Sequence, residues 1–186
     1  MKPVAIALAA GIAGLTASLA PAQPAPPPGC VEDIHDDFDF WVGRWNVYAP
    51  DGGPYQGHNV IEKVEGGCLI TENWTGASGS TGQSMNFHDP LAGAWRQVWV
   101  SRGAFIDYTG GLDADGVMVL EGEIHYPGNG NRAPFRGTWT LREDGTVRQH
   151  FEQQDAEGAW SDWFVGIYVR EDEDPRAAEA QAARAG

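Results

Sequence analysis

Apolar and polar residues alternate along most of the chain, in short runs cut by turn chemistry at near-regular intervals. Pro50-Asp51-Gly52-Gly53, Glu65-Gly66-Gly67, Asp89-Pro90 to Gly93, Asp113 to Gly116, Pro127-Gly128-Asn129-Gly130, Glu143-Asp144-Gly145 and Ala156-Glu157-Gly158 combine glycine, proline and short polar residues that reverse a chain. The runs between them are rich in Val, Ile, Thr, Trp, Tyr and Phe. They predict about ten strands, near residues 44–49, 55–64, 68–75, 82–88, 94–101, 104–111, 117–126, 133–142, 146–154 and 160–170. Short strands joined by serial turns predict an all-β fold, either a barrel or a sandwich. Ahead of them, Ile34 to Val42 predicts a short N-terminal helix whose Phe38, Phe40, Trp41 and Val42 plug an open end.

In a barrel every second residue of a strand faces inward, so the face carrying bulky apolar residues nominates the lumen. That face is Ile70, Glu72, Trp74 on the third strand, Trp95, Gln97, Trp99 on the fifth and Val147, Gln149, Phe151 on the ninth. Each sets one polar group between two apolar neighbours. A buried carboxylate or amide left unpaired costs about 1–3 kcal/mol, so these three groups either satisfy one another in a wet interior or hold a ligand. The ligand-binding reading predicts Glu72, Gln97 and Gln149 in a pocket walled by Trp74, Trp95, Trp99, Phe151 and Met85, with Ala77 to Gly82 as an entrance loop. Trp41 and Trp45 are expected to be structural plugs, with Trp160 and Trp163 bracing the closing hairpin.

Catalytic and metal motifs are sparse. By parity Glu121 and Glu123 face outward, and Glu152 shares a solvated face with Arg148 and His150, which leaves Glu72 as the one carboxylate expected inside. Ser78-Gly79-Ser80-Thr81-Gly82 is not a nucleophile elbow. His88-Asp89, Asp113, Asp115, Glu143 and Asp144 lack zinc or calcium spacing, and Gly128-Asn129-Gly130-Asn131 opens no helix to cradle a phosphate. No metal and no cofactor is therefore expected. The formal net charge of −14 disfavours nucleic acid and anionic membrane surfaces as partners.

Met1 to Ala22 has one early lysine, a short apolar stretch and Ala20-Pro21-Ala22, the layout of a cleaved secretory signal peptide. Residues 23–33 read as a Pro-rich linker, 34–171 as the barrel domain and 172–186 as a flexible acidic and Ala-rich tail. After cleavage no segment is apolar enough to insert into a membrane. Cys30 and Cys68 are the only cysteines; in an oxidising compartment an even pair favours a disulfide, the alternative being two separate thiols.

Phe38-Asp39-Phe40-Trp41-Val42-Gly43-Arg44-Trp45 places Gly-x-Trp at the mouth of the first strand, and the last strand closes on Tyr168-Val169-Arg170. This arrangement resembles the calycin barrels: lipocalins, fatty-acid-binding proteins and nitrobindin-like proteins. The resemblance implies a single antiparallel up-and-down β-barrel of about ten strands, in which Trp45 closes the bottom with Arg170 packed over it. The second and third lipocalin sequence blocks are absent, and the strand count suits the ten-stranded members better. Glu72-Asn73-Trp74-Thr75-Gly76, Asn86-Phe87-His88-Asp89-Pro90 and Trp95-Arg96-Gln97-Val98-Trp99-Val100 add a likeness to a family of uncharacterised bacterial secreted proteins, which brings no activity with it. The nitrobindin likeness would imply haem, yet none of His35, His58, His88, His125 and His150 sits in a motif that marks an axial ligand. The functional expectation is a periplasmic or secreted barrel that binds a small, mostly apolar or aromatic molecule. The alternatives are a barrel enzyme (isomerase, cyclase or hydrolase) acting through Glu72, a haem or nitric-oxide barrel, and an accessory subunit that binds a protein partner.

Overall fold

A computed structural model describes residues 28–185. The expected signal peptide and most of the Pro-rich linker lie outside the described residues. Ten strands run β1 (Gly43–Tyr48), β2 (Tyr55–Val64), β3 (Leu69–Gly76), β4 (Thr81–Asp89), β5 (Ala94–Ser101), β6 (Phe105–Leu112), β7 (Val117–Tyr126), β8 (Asn131–Leu141), β9 (Val147–Gln154) and β10 (Trp160–Arg170). Each pairs antiparallel with its sequence neighbours, and β1 pairs with β10, so the meander closes into one barrel. Closure removes the unpaired edges that an open sheet of this size would leave to other chains. Among the described residues no helix is long and apolar enough to cross a membrane.

The end of the barrel at which β1 begins is stoppered by aromatics. Phe38, Trp41, Trp45 and Trp139 are fully buried there, with Phe38 stacked on Trp41 at 4.9 Å and edge-on to Trp139 at 5.2 Å. Instead of one helix, the plug segment forms two 3-10 turns, Asp33–Asp36 and Asp39–Trp41. Such turns advance the chain further per residue than an α-helix does, and of Asp33, Asp36, Asp37, Asp39, Phe40 and Trp41 only Trp41 is fully buried. Lys63 ties the segment down, donating to Asp36 at 2.6 Å and to Asp39 at 2.7 Å. Cys30 and Cys68 form a disulfide across a separation of 38 residues, fastening the lead to the start of β3.

Trp45 and Arg170 are direct register partners across β1 and β10, and the Arg170 guanidinium lies 4.4 Å from the Trp45 ring centre. Trp45 Nε1 donates to the Trp41 carbonyl at 2.8 Å, so the first strand, the last strand and the plug meet at one indole. Replacing Arg170 with Met keeps the aliphatic cover but removes the charge over the ring. The expected loss is about 1 kcal/mol in a urea titration; an unchanged midpoint would show that the guanidinium adds nothing there.

The tail, whose composition suggests a frayed end or an isolated helical turn, is helical over much of its length. Ala177–Ala185 form a helix, α1, against the outer wall of β1 and β2. Its fully buried Ala180 lets the helix approach Tyr48 and Tyr55 closely. Asp174 accepts hydrogen bonds from Asn46 Nδ2 at 2.6 Å and Tyr48 Oη at 2.7 Å, while Arg176 lies 4.1 Å over the Tyr48 ring. Nine residues are too few to hold a helix in water by propensity alone, so these contacts with the wall decide the fold of the tail.

Candidate functional site

Within the barrel the inward residues stack in three layers. Above the aromatic plug lies a belt of polar side chains, and above that an aromatic cavity of about 390 Å³ near the opposite end. Glu72, Trp74, Trp99, Gln149 and Phe151 line this cavity, together with Gln56, Ala77, Ser78, Ser80, Trp163, Phe164 and Tyr168. Ala77 to Ser80 connect β3 to β4 at the rim, where the entrance loop was expected.

Three residues nominated for the pocket lie elsewhere. Trp95 is buried against Phe38 at 5.9 Å and belongs to the plug. Gln97 is 1 % exposed and sits inside the belt without lining the cavity. Met85 is a correction: it is 60 % exposed on the outer wall, opposite Thr71 and Val98. The inward face of β4 is Gly82, Ser84 and Asn86, small and polar, so the rule that the bulkier apolar face is inside selects the wrong face of this strand.

The belt is a continuous hydrogen-bond chain made possible by register. Tyr108 on β6, Gln97 on β5 and Asn86 on β4 are directly opposite one another in turn, as are Ser84 and Glu72 on β4 and β3. Tyr108 Oη donates to Gln97 Oε1, and Gln97 Nε2 donates to Asn86 Oδ1. Asn86 Nδ2 donates to Ser84 Oγ at 2.9 Å, and Ser84 Oγ donates to Glu72 Oε2 at 2.7 Å. From the other side Asn59 Nδ2 donates to Glu72 Oε1 at 2.7 Å and to Tyr168 Oη at 3.1 Å, and Tyr168 donates to Gln149 Oε1. Both arms therefore end with a donor aimed at Glu72, which is 4 % exposed. Of the three polar groups that parity places inside, Gln97 is satisfied by its neighbours, whereas Glu72 and Gln149 join the belt and also face the cavity.

Burial pushes the Glu72 carboxyl up to about 7, against the opposing pull of the hydrogen bonds from Asn59 and Ser84. Burial and the nearby Glu72 charge hold the Tyr108 and Tyr168 hydroxyls well above 10, so both stay protonated and able to donate. Glu72 is thus poised near neutrality in a setting whose other members do not titrate there.

Two β-bulges and two glycines shape the aromatic layer. A register shift between Asp162 and Phe164 turns both Trp163 and Phe164 toward the cavity, where strict alternation would admit only one. A second shift opposite Val47 and Tyr48 brings Gln56 to the cavity and leaves Tyr55 packed under α1. The Trp74 indole lies across Gly57 and the Trp99 indole across Gly82; a methyl at either glycine would collide with the ring. Glycine inside a strand is the one signal in the sequence that marks such a close approach. Asn59, Ser84, Tyr108 and Tyr168 carry no comparable local mark.

Among the described residues no histidine lines the cavity, so its wall offers no imidazole to a haem iron. On the outer face His150 Nε2 lies 2.7 Å from Asp162 Oδ1, next to Glu152. Arg136 already holds Glu152 at 2.8 Å and itself stacks on Trp160. The sequence matches no protein-family profile and no curated protein. The closed ten-stranded antiparallel barrel is consistent with a calycin-like fold, as the Gly43-x-Trp45 opening and Arg170 imply.

Proposed function

We propose that the protein is an exported calycin-like barrel that binds a small, mostly apolar or aromatic molecule in its lumen. The supporting observation is the cavity: about 390 Å³, walled by indole and phenyl rings and floored by Glu72, Gln149 and Tyr168. A volume of this size with few, converging polar groups suits a small ligand. Export is supported by the layout of Met1 to Ala22 and by the Cys30–Cys68 disulfide, a bond typical of oxidising compartments.

The test is to purify the protein natively, extract it with organic solvent and identify by mass spectrometry what was carried. A single compound in near-stoichiometric amount, released unchanged and quenching tryptophan fluorescence when added back, is the expected result. A lumen that yields nothing and takes up no apolar fluorophore would refute the proposal.

A second reading has one observation in its favour. A cavity-facing carboxyl near pKa 7 can give or take a proton at neutral pH, as a general acid or base must. Conversion of the extracted compound to a product, abolished by Glu72→Gln, would make the barrel an enzyme.

A further inference from the structure

Among the described residues the cavity wall has no Lys, Arg or His, and its ionisable groups are Glu72 and Tyr168. We propose that the ligand is a hydrophobic organic cation, an aromatic or aryl-alkyl amine, whose ammonium group is held among the indole rings and paired with Glu72. This rests on the proposed binding function and specifies its ligand class.

Three independent features favour a cation. The first is the ring cage. Trp74 meets Phe164 edge-on at 5.8 Å, and Phe151 contacts Phe164 at 6.1 Å and Trp163 at 6.2 Å, forming a connected aromatic surface beside a carboxylate. Indole faces carry the negative quadrupole that attracts ammonium groups, and they do so best where water is excluded. The second is hydrogen-bond demand. Gln56 Oε1 on the cavity wall, and Asn59 Oδ1 beside Glu72, are buried acceptors with no donor from the protein. An amine brings a donor to the Gln56 acceptor on the wall, whereas a ketone or ether brings only another acceptor. The third is charge. A fatty acid or other anion would put its charge beside Glu72 with no cation to offset it, and the chain's net charge of −14 repels anions at a distance. An entering ammonium supplies the counter-ion that Glu72 lacks within the protein.

The test compares three probes of one shape: phenylbutylamine, phenylbutanol and phenylbutanoate, titrated calorimetrically and by tryptophan quenching, with N-phenylnaphthylamine as a neutral reporter of the lumen. At about pH 8 the amine should bind roughly tenfold or more tighter than the alcohol, with the acid weakest. The preference should shrink at about pH 5, where Glu72 is protonated; the titratable groups facing it, Tyr108 and Tyr168, do not change state over that range. Glu72→Gln should bring the amine down to the alcohol's affinity while the alcohol and the reporter still bind. Equal or tighter binding of the alcohol or acid, or a preference for the amine that persists in Glu72→Gln, overturns the proposal. If that variant does not fold, the pH dependence of the wild-type preference decides. Should the reporter bind but none of the three probes, the cation proposal falls and lumenal binding stands. If all four fail, both fall.

Discussion

Gln97→Leu should lower the unfolding free energy by about 4 kcal/mol. The leucine fills nearly the same volume, so the cost is not a cavity. It comes from stranding two partners: Tyr108 Oη loses its acceptor and Asn86 Oδ1 loses its donor, both in the closed interior of the barrel. Each buried group left unpaired costs about 1–3 kcal/mol, and a small domain has a total margin of about 5–15 kcal/mol. Adding Tyr108→Phe removes the stranded hydroxyl, so the double variant should be more stable than Gln97→Leu alone. Urea denaturation with a constant slope measures both steps. A loss below about 1 kcal/mol, or no recovery on adding Tyr108→Phe, would mean that the belt does not act as a connected chain.

The second large effect is the pH dependence created by Glu72. Its folded-state pKa of about 7 exceeds the ordinary 4.5, so the native state holds this proton more tightly than the unfolded chain does. The resulting stability is present in full below pH 4.5 and is lost as pH rises through 7, a change of about 3 kcal/mol. Two other groups slope the opposite way. Burial lowers the pKa of His58 from 6.5, a contribution present above that value and lost as pH falls. Burial opposes ionisation of Glu171, but hydrogen bonds from Arg184, Arg44 and His58 outweigh it and hold the carboxyl down at about 2, a contribution lost between pH 4.5 and 2. The informative quantity is therefore the difference between the wild type and Glu72→Gln, in which His58 and Glu171 cancel. That difference should shift by about 3 kcal/mol in favour of the variant between about pH 4.5 and 8, as read from urea midpoints across the range. Parallel curves would show that Glu72 titrates at its ordinary value.

The same carboxyl links stability to binding. If an ammonium ligand pairs with the ionised form, it offsets the desolvation that otherwise makes that form costly. The ligand should then stabilise the protein most at the pH where the empty lumen is weakest.

Much of this barrel was legible in the chain, because alternation and turn chemistry are local. All ten strands lie within two residues of the spans predicted from turn spacing. On β3, β5 and β9 the bulky apolar face is the inner one, so Glu72, Gln97 and Gln149 face inward as parity requires. The Gly43-x-Trp45 opening and Arg170 meet as the family resemblance implies. Closure decided the rest. β4 reverses the apolar-inside rule because Ser84 and Asn86 are needed by Glu72 and Gln97, partners supplied by neighbouring strands. Trp163 and Gln56 reach the cavity through bulges, which shift register by pairing rather than by composition. Which lumenal residues face open space, and which are sealed among others, depends on where the plug sits along the barrel axis. The tail is helical only because Tyr48, Tyr55 and Asn46 offer it a wall. A sequence states the periodicity of its strands, but the partners of a buried polar group come from segments far along the chain, and only the closed sheet brings them within hydrogen-bonding distance.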